Sequence, residues 1–401
     1  MEAQNVSKGS KGLNAAIGAS AAVALLGIGL WAYQFSAGLV VTNMGNTSSW
    51  GMYIICFMFL VGLSAGGLII SSAPRVFGLK GFGGISKIAV WTSIVCTVLA
   101  MAFVVIDLGG PLRAWELVVF ANLSSPLMWD IIVLTSYLLV SILYLRATLR
   151  FEQGKSSARS LRILSGFALV IAVLVHSVTA WIFGLQRSHE LWNTALLAPW
   201  FVSSALVCGL ALVLLVVLAL RKMGYLELAQ ENVIGMVKLL GVFVVVDLYF
   251  FGCELLTAGF PGGESARMVE ILVAGPLAPF FWIEVLVCVF AAVVAFVDKL
   301  RTNGLVAVAA ALAIVGIFCK RVQLLVGGFQ VHSLELVGPI SGPVRDGFML
   351  DLVYAPSLIE LGIALGVFAL GVFGILMGIK YLPLAPAAKA DAAVEDSPTA
   401  A

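Results

Sequence analysis

The sequence predicts an all-α integral membrane protein of about ten transmembrane helices, and three observations carry the prediction. Of its residues, 61% are apolar and only 11% charged; soluble domains need roughly 25% charged residues to face water. The apolar residues fall into long runs, of helix length and unlike the short alternating strands of a barrel. The basic residues are spread over the connections in the uneven way that membrane insertion selects.

The runs lie at about 14–41, 50–73, 86–107, 126–148, 161–184, 195–220, 232–258, 275–297, 303–329 and 356–380. Each holds about 20 residues or more, and at 1.5 Å per residue that crosses a hydrocarbon core of roughly 30 Å. The first run follows Lys8 and Lys11, as a secretion signal would. It is nearly twice the usual apolar length of such a signal, so an uncleaved first helix after a short N-terminus (1–13) is expected. Beyond the tenth run, "LAPAAKADAAVEDSPTAA" is Ala/Pro-rich, and residues 381–401 are expected to be a disordered tail.

Of the 23 Lys and Arg residues, sixteen fall in the N-terminus, the tail and alternate connections, among them Arg75, Lys80, Lys87, Arg146, Arg150, Lys155, Arg221, Lys222, Lys299 and Arg301. The other connections hold four: Arg113, Arg187, Arg267 and Arg345. Lys238, Lys320 and Arg321 lie within apolar runs. This bias predicts that both termini are cytoplasmic. The net charge of +2 is therefore a topology signal, and nothing in it points to nucleic acid.

Several chemistries lack their residues. Cys56, Cys96, Cys208, Cys253, Cys288 and Cys319 are isolated within apolar runs and no C-x-x-C occurs, so iron–sulfur ligation and c-type haem attachment have no ligand set. The cysteines read as small packing residues. Of His176, His189 and His332, only His176 clearly lies at membrane depth, which speaks against bis-histidine haem. No GxxxxGK[ST] loop is present, so ATP hydrolysis is not expected. No metal site is predicted.

The polar residues gather on the predicted outer side. "DLGGPLRAWE" closes the third run with Asp107, Arg113 and Glu116, and Asp130 opens the fourth. "HSVTAWIFGLQRSHELW" ends the fifth, with His176 about two turns below the surface and Arg187, His189 and Glu190 above it. The seventh carries Asp247 and Glu254, seven residues apart and so about 10.5 Å apart on one face. Glu284 lies near mid-depth in the eighth, Lys320 and Arg321 in the ninth, and Glu360 one turn into the tenth, within "YAPSLIELG". An ionisable group in hydrocarbon costs about 2.5–3.5 kcal/mol on insertion scales, so these residues are expected to face a shared polar chamber; salt bridges within the bundle are the plainer reading. Trp50, Trp115, Trp129, Trp181, Trp192 and Trp200 read as an interfacial aromatic belt. Gly62, Gly66 and Gly67 of "GLSAGG" read as close helix packing.

A slight direct repeat is visible. "WGMYIICFMFLVGLSAGGL" (50–68) and "WFVSSALVCGLALVL" (200–214) both open inward-running helices, and acidic residues follow each. It suggests two four-helix bundles, over about 50–184 and 195–329, flanked by the first and tenth helices. Chance in Leu/Gly-rich helices explains it as well.

Read in order, "WGMYIICFMFLVGLSAGGLIISS", "DLGGPLRAWE", "SSPLMWD", "HSVTAWIFGLQ", "LWNTALLAPWFVSSALVCG" and "YAPSLIELG" resemble the NrfD/PsrC family, the quinone-reacting membrane subunits of polysulfide-reductase-type complexes. They are closest to its ten-helix branch, with the membrane subunits of hydrogenase-2-type and alternative-complex-III-type assemblies. The resemblance implies a multi-pass subunit of a bacterial cytoplasmic membrane without redox metals, and menaquinone or ubiquinone as its bound substrate. It also implies a ferredoxin-like iron–sulfur subunit docked on the outer face, which relays electrons to or from a catalytic subunit, typically of the molybdopterin type.

Quinol oxidation releases two electrons and two protons, so the site needs hydrogen-bond partners for both hydroxyls and a base near neutral pH, for which imidazole is best matched. On this basis His176 is expected to be the quinone ligand and proton acceptor, with Asp107 as its acidic partner or a second acceptor. Arg113 and Arg187 are expected to hold Asp107 and neighbouring carboxylates ionised, and Gln186 or Tyr354 to meet the other quinone oxygen. Asp107, His176 and Glu360 carry over from the family's motifs. Glu254, Asp247 and Lys238 follow from position alone and, with Glu284 and Glu360, outline a proton path. Two further classes remain open: a secondary active transporter, which would move substrate when reconstituted alone, and a structural anchor, which would bind no quinone analogue.

Overall fold

A computed structural model describes residues 11–384, except 46–47, 78–82, 188, 190, 227 and 331–353. The predicted tail lies almost wholly outside these residues, as do His332, Glu190, Lys80 and Arg345. Among the described residues the chain is helical without strands: α1 (Lys11–Ala37), α2 (Met52–Phe77), α3 (Ser86–Asp107), α4 (Glu116–Val119), α5 (Pro126–Glu152), α6 (Ala158–Gly184), α7 (Leu197–Lys222), α8 (Gln230–Gly259), α9 (Gly263–Val273), α10 (Ala278–Phe296), α11 (Asn303–Gly328) and α12 (Leu358–Tyr381). Ten of these are long and apolar enough to cross a membrane, one for each predicted run. The short helices α4 and α9 lie in connections that the sequence left without structure.

Helix limits follow local chemistry. The first run extends to residue 41, but α1 ends at Ala37 because Gly38 takes φ +81°, a left-handed conformation that glycine adopts without penalty. Pro126 starts α5 and Ser157 caps α6, its hydroxyl accepting from Ser160 N. Thr302 caps α11 in the same way. Ser357 and Glu360 form a reciprocal capping box on α12.

The centre of the fold is α2, whose apolar window is 94% buried. It packs on α3, α6 and α7; α3 meets α5, and α5 meets α6. On the other side α7 packs on α8 and α11, and α10 joins both of these. α1 pairs with α12, which leans on α3. Close approach depends on glycine. A Cβ on Gly66 would lie 2.2 Å from the Ala205 carbonyl oxygen and 2.7 Å from Gly209 Cα, so α2 and α7 touch backbone to backbone. Because that obstacle is main chain, no rotamer change can relieve it. A Gly66→Ala variant is expected to lose about 1–3 kcal/mol or more through overpacking. Gly29→Ala, with nothing within 4 Å of the added carbon, is expected to gain up to about 1 kcal/mol of helix propensity. Melting temperatures of the detergent-solubilised protein would separate the two.

Hydroxyls join α2, α3 and α5. The Tyr137 hydroxyl donates to Ser64 O at 2.8 Å, and one heptad on the Tyr144 hydroxyl donates to Ser71 O at 3.1 Å. At the end holding both described chain limits, Lys87 bonds Glu152 at 2.6 Å and Pro383 O at 2.9 Å. There Lys380 Nζ also donates to Asn14 Oδ1 at 2.9 Å, which brings the start of α1 and the end of α12 together. The opposite end, where α3 stops at Asp107, holds the candidate site.

Candidate functional site

The structure distributes the predicted residues over three places. The first is a corner where α1, α2, α3 and α12 meet. Glu360, fully buried, accepts from Asn43 N at 3.0 Å and Ser357 N at 2.8 Å, and from the Tyr354 hydroxyl. The Tyr354 oxygen in turn accepts from Met52 N at 2.8 Å, tying the first turn of α2 to α12. Burial pushes the Tyr354 phenol above its ordinary value and donation to Glu360 raises it further, so it remains a neutral donor. Tyr53 donates to Gln34, whose amide reaches Ile106 O at 3.4 Å. Asp107 shares this corner with Glu360 and Tyr53, and its buried Oδ1 has no hydrogen-bond partner.

The second place is around His176. Its side chain on α6 is 1% exposed, and neither ring nitrogen has a hydrogen-bond partner. A methyl group on Gly62 would lie 3.2 Å from Cys208 Sγ and 3.6 Å from His176 Nε2, so Gly62 keeps the α2 side of the imidazole uncrowded. The ring lies 5.6 Å from Phe201, between centroids. Rings continue from there towards the Asp107 end: Phe201 to Phe183 at 6.5 Å, Phe183 to Trp50 at 5.6 Å and to Trp192 at 5.2 Å, and Trp192 to His189 at 4.2 Å. Trp192 lies against Gly328, where a side chain would collide with the indole, and donates to Leu324 O at 2.7 Å. Trp192 and Trp200 are buried, not members of an interfacial belt; Trp115 and Trp181 are exposed and fit one.

The third place is an ion cluster within α7, α8, α10 and α11. Lys320 bonds Asp247, and its ammonium lies 3.2 Å from Glu284. Ser203 donates to Asp247 at 2.9 Å and Gln323 to Glu284 at 2.7 Å. The next residue, Arg321, turns the other way and donates to Ser204. Two consecutive cations thus meet two consecutive rings of α7: Lys320 Nζ is 4.8 Å from the Trp200 centroid, and the Arg321 guanidinium carbon is 4.0 Å from that of Phe201. Thr194 donates to Glu254 at 2.9 Å beside this cluster.

These placements correct several expectations. The charges do not share one chamber, because each buried carboxylate except Asp107 has found partners among its nearest residues. Asp107 is not the acidic partner of His176; it faces the α1–α12 corner, and His176 has no bonded partner. Arg113 does not hold Asp107: it is exposed and forms a bidentate pair with Glu116 at 2.8 and 2.9 Å. Gln186 and Arg187 are exposed, and Lys238 lies on the exposed face of α8, outside the cluster. Lys320 and Arg321 stood out in the sequence only as two charges in an apolar run. That their partners are Asp247, Glu284 and the Trp200–Phe201 pair required the packing of α11 on α7. A cavity of about 30 Å³ reaches the cluster, lined by Trp200, Glu254, Glu284, Lys320 and Gln323. A cleft of about 550 Å³ opens between Leu108 and Met128, lined by Arg113, Glu116 and Asn122. Neither is lined by His176 or Asp107.

The sequence profile of the family described as "Polysulphide reductase, NrfD" matches residues 40–332, from just before α2 to just beyond α11. The chain belongs to the NrfD family. Its relatives extend the likeness beyond the matched region. One from Halobacterium salinarum, whose name carries the words "dimethyl sulfoxide reductase membrane subunit", is 29% identical, with 93% of this protein and 92% of the relative covered. The Hdr-like menaquinol oxidoreductase integral membrane subunit of Archaeoglobus fulgidus is 26% identical over 93% and 94%. A polysulfide reductase polypeptide of Wolinella succinogenes is 27% identical over 60% of this protein and 80% of its own length. With ten helices able to span a bilayer, this NrfD protein is a multi-pass membrane protein.

Proposed function

We propose that this NrfD-family protein exchanges electrons between the quinone pool, as menaquinone, and an extracytoplasmic iron–sulfur subunit that serves a catalytic subunit of the molybdopterin type. The observation that carries this reading is the buried imidazole of His176, with neither nitrogen bonded, at the inner end of a run of aromatic rings that begins at the Asp107 end. Flat rings spaced 5–6.5 Å apart can part to admit another flat ring and stack on it. The names of the relatives support menaquinone over ubiquinone.

In the oxidising direction, one O–H bond of the quinol breaks and its proton passes to a nitrogen of His176. The second proton passes to Asp107, across the start of α2, where Trp50, just before the helix, and Tyr53, in its first turn, face the two sides. The two electrons leave to the iron–sulfur partner. Glu360 and Tyr354 hold the corner in shape through the capping box and the bond to Met52 N. Asp247, Glu284 and Glu254 form the proton path, and Lys238 has no part in it. We also propose that the termini are cytoplasmic and the Asp107 end outside, in line with the basic residues, in a bacterial inner membrane. α2–α6 and α7–α11 act as two units, flanked by α1 and α12.

Purification through a tag on this protein tests the reading. An iron–sulfur protein is expected to copurify, and added menaquinol to reduce its clusters. A protein that purifies alone and carries solute into proteoliposomes would instead be a transporter.

A further inference from the structure

Among the described residues, eight buried side-chain atoms lack a hydrogen-bond partner, and six of them belong to five neighbouring side chains: both nitrogens of His176, Trp200 Nε1, Arg321 Nε, Gln323 Oε1 and Glu284 Oε1, the last touched only by the Lys320 ammonium at 3.2 Å. All five residues are at most 5% exposed. Buried polar groups are nearly always bonded to protein or to ordered water. The chemistry of the six atoms says which ligand fits. A neutral imidazole offers one donor and one acceptor; Trp200 and Arg321 each add a donor, and Gln323 and Glu284 each add an acceptor. An anion would satisfy only donors and a cation only acceptors. Water satisfies both.

We propose that these atoms line a file of bound water linking His176 to the Lys320–Glu284–Asp247 cluster, and that the file carries away the proton His176 receives. The file crosses between the two consecutive cation–ring pairs, Arg321–Phe201 on the His176 side and Lys320–Trp200 on the cluster side. The cavity beside Trp200, Glu284 and Gln323, about 30 Å³, holds a water or two. It continues past Glu254 towards α9. One nitrogen of His176 accepts the quinol proton while the other releases its own to the adjoining water, so a neutral imidazole remains and one proton moves on to the Glu284 carboxylate. The electrons take the separate route to the iron–sulfur partner.

This inference rests on His176 as proton acceptor, so two measurements are needed. In a cryo-EM map of the intact complex that resolves ordered water, densities are expected within hydrogen-bonding distance of His176, Arg321 Nε, Trp200 Nε1 and Gln323 Oε1. If those atoms are instead bonded to one another or to other protein atoms, with no density between them, the file does not exist. The second measurement uses proteoliposomes of the complex, following proton release against electron transfer after a single pulse of menaquinol. Trp200→Phe keeps the ring under Lys320 and removes the N–H; Gln323→Met removes the acceptor. Each is expected to lower the ratio of proton rate to electron rate about tenfold, the scale of one lost hydrogen bond. An unchanged ratio in both variants overturns the conducting role. Full turnover in His176→Ala would sink the quinone reading by itself, and the map would still decide whether the water is there.

Discussion

A His176→Ala variant is expected to assemble normally and to lose quinol-driven electron transfer by about 10²–10⁴-fold, the range over which a positioned proton acceptor contributes. The imidazole has no structural bond to lose: neither nitrogen is hydrogen-bonded, and the ring lies beside Phe201 and the backbone at Gly62. Alanine therefore removes a titratable group and leaves a small void without orphaning a partner. His176→Gln refines the test, since glutamine can bond to a quinone oxygen but does not titrate near neutral pH. If glutamine restores quinone binding without turnover, proton acceptance is the role. If it restores both, His176 only positions the substrate. Stopped-flow reduction of the partner's clusters, alongside the melting temperature of the complex, supplies the rate and the control for assembly.

The fold was legible in the sequence to within about a turn at most helix ends, because a membrane leaves few solutions: long apolar runs must be helices, and their number sets the topology. Glycine and capping residues refined the ends, as at Gly38, Thr302 and Ser357. The candidate site was legible residue by residue but not as an arrangement. His176 and Glu254 could be placed at a depth, yet depth does not say which neighbour a side chain faces. Asp107 and His176 lie towards the same end and look like a pair on that ground. In the fold Asp107 points to α12 and His176 to α2 and α7. The aromatic residues misled for a related reason. A tryptophan near a helix end marks an interface in most membrane proteins, whereas Trp192 and Trp200 are held inside by contacts with Gly328 and Phe251 that no local pattern encodes.

Replacing Lys320 has the largest expected effect on stability. Its ammonium is the cation that pairs with both Asp247 and Glu284, which are buried and on different helices. A Lys320→Met variant strands these carboxylates in a low-dielectric interior. Removing one partner of a buried ion pair costs about 3–5 kcal/mol, a large part of the 5–15 kcal/mol that typically holds a domain folded. The protein is therefore expected to fail to accumulate in the membrane, as quantitative immunoblotting would show. The opposite prediction holds for the whole cluster. Replacing a buried charged set by apolar groups of similar volume is often neutral or stabilising, so Lys320→Met with Asp247→Leu and Glu284→Leu is expected to recover accumulation. Ser203 and Gln323 lose a partner in the triple variant, which limits the recovery to less than complete. What the recovered protein does then separates the two readings of the cluster. A proton path predicts an assembled complex that oxidises quinol slowly and releases protons more slowly still, because the water beyond Arg321 would have lost Asp247 and Glu284 and could reach only Glu254, farther along the cavity. A cluster that only braces α8, α10 and α11 predicts native rates once the bundle is restored, and that result would remove Asp247 and Glu284 from the proton path.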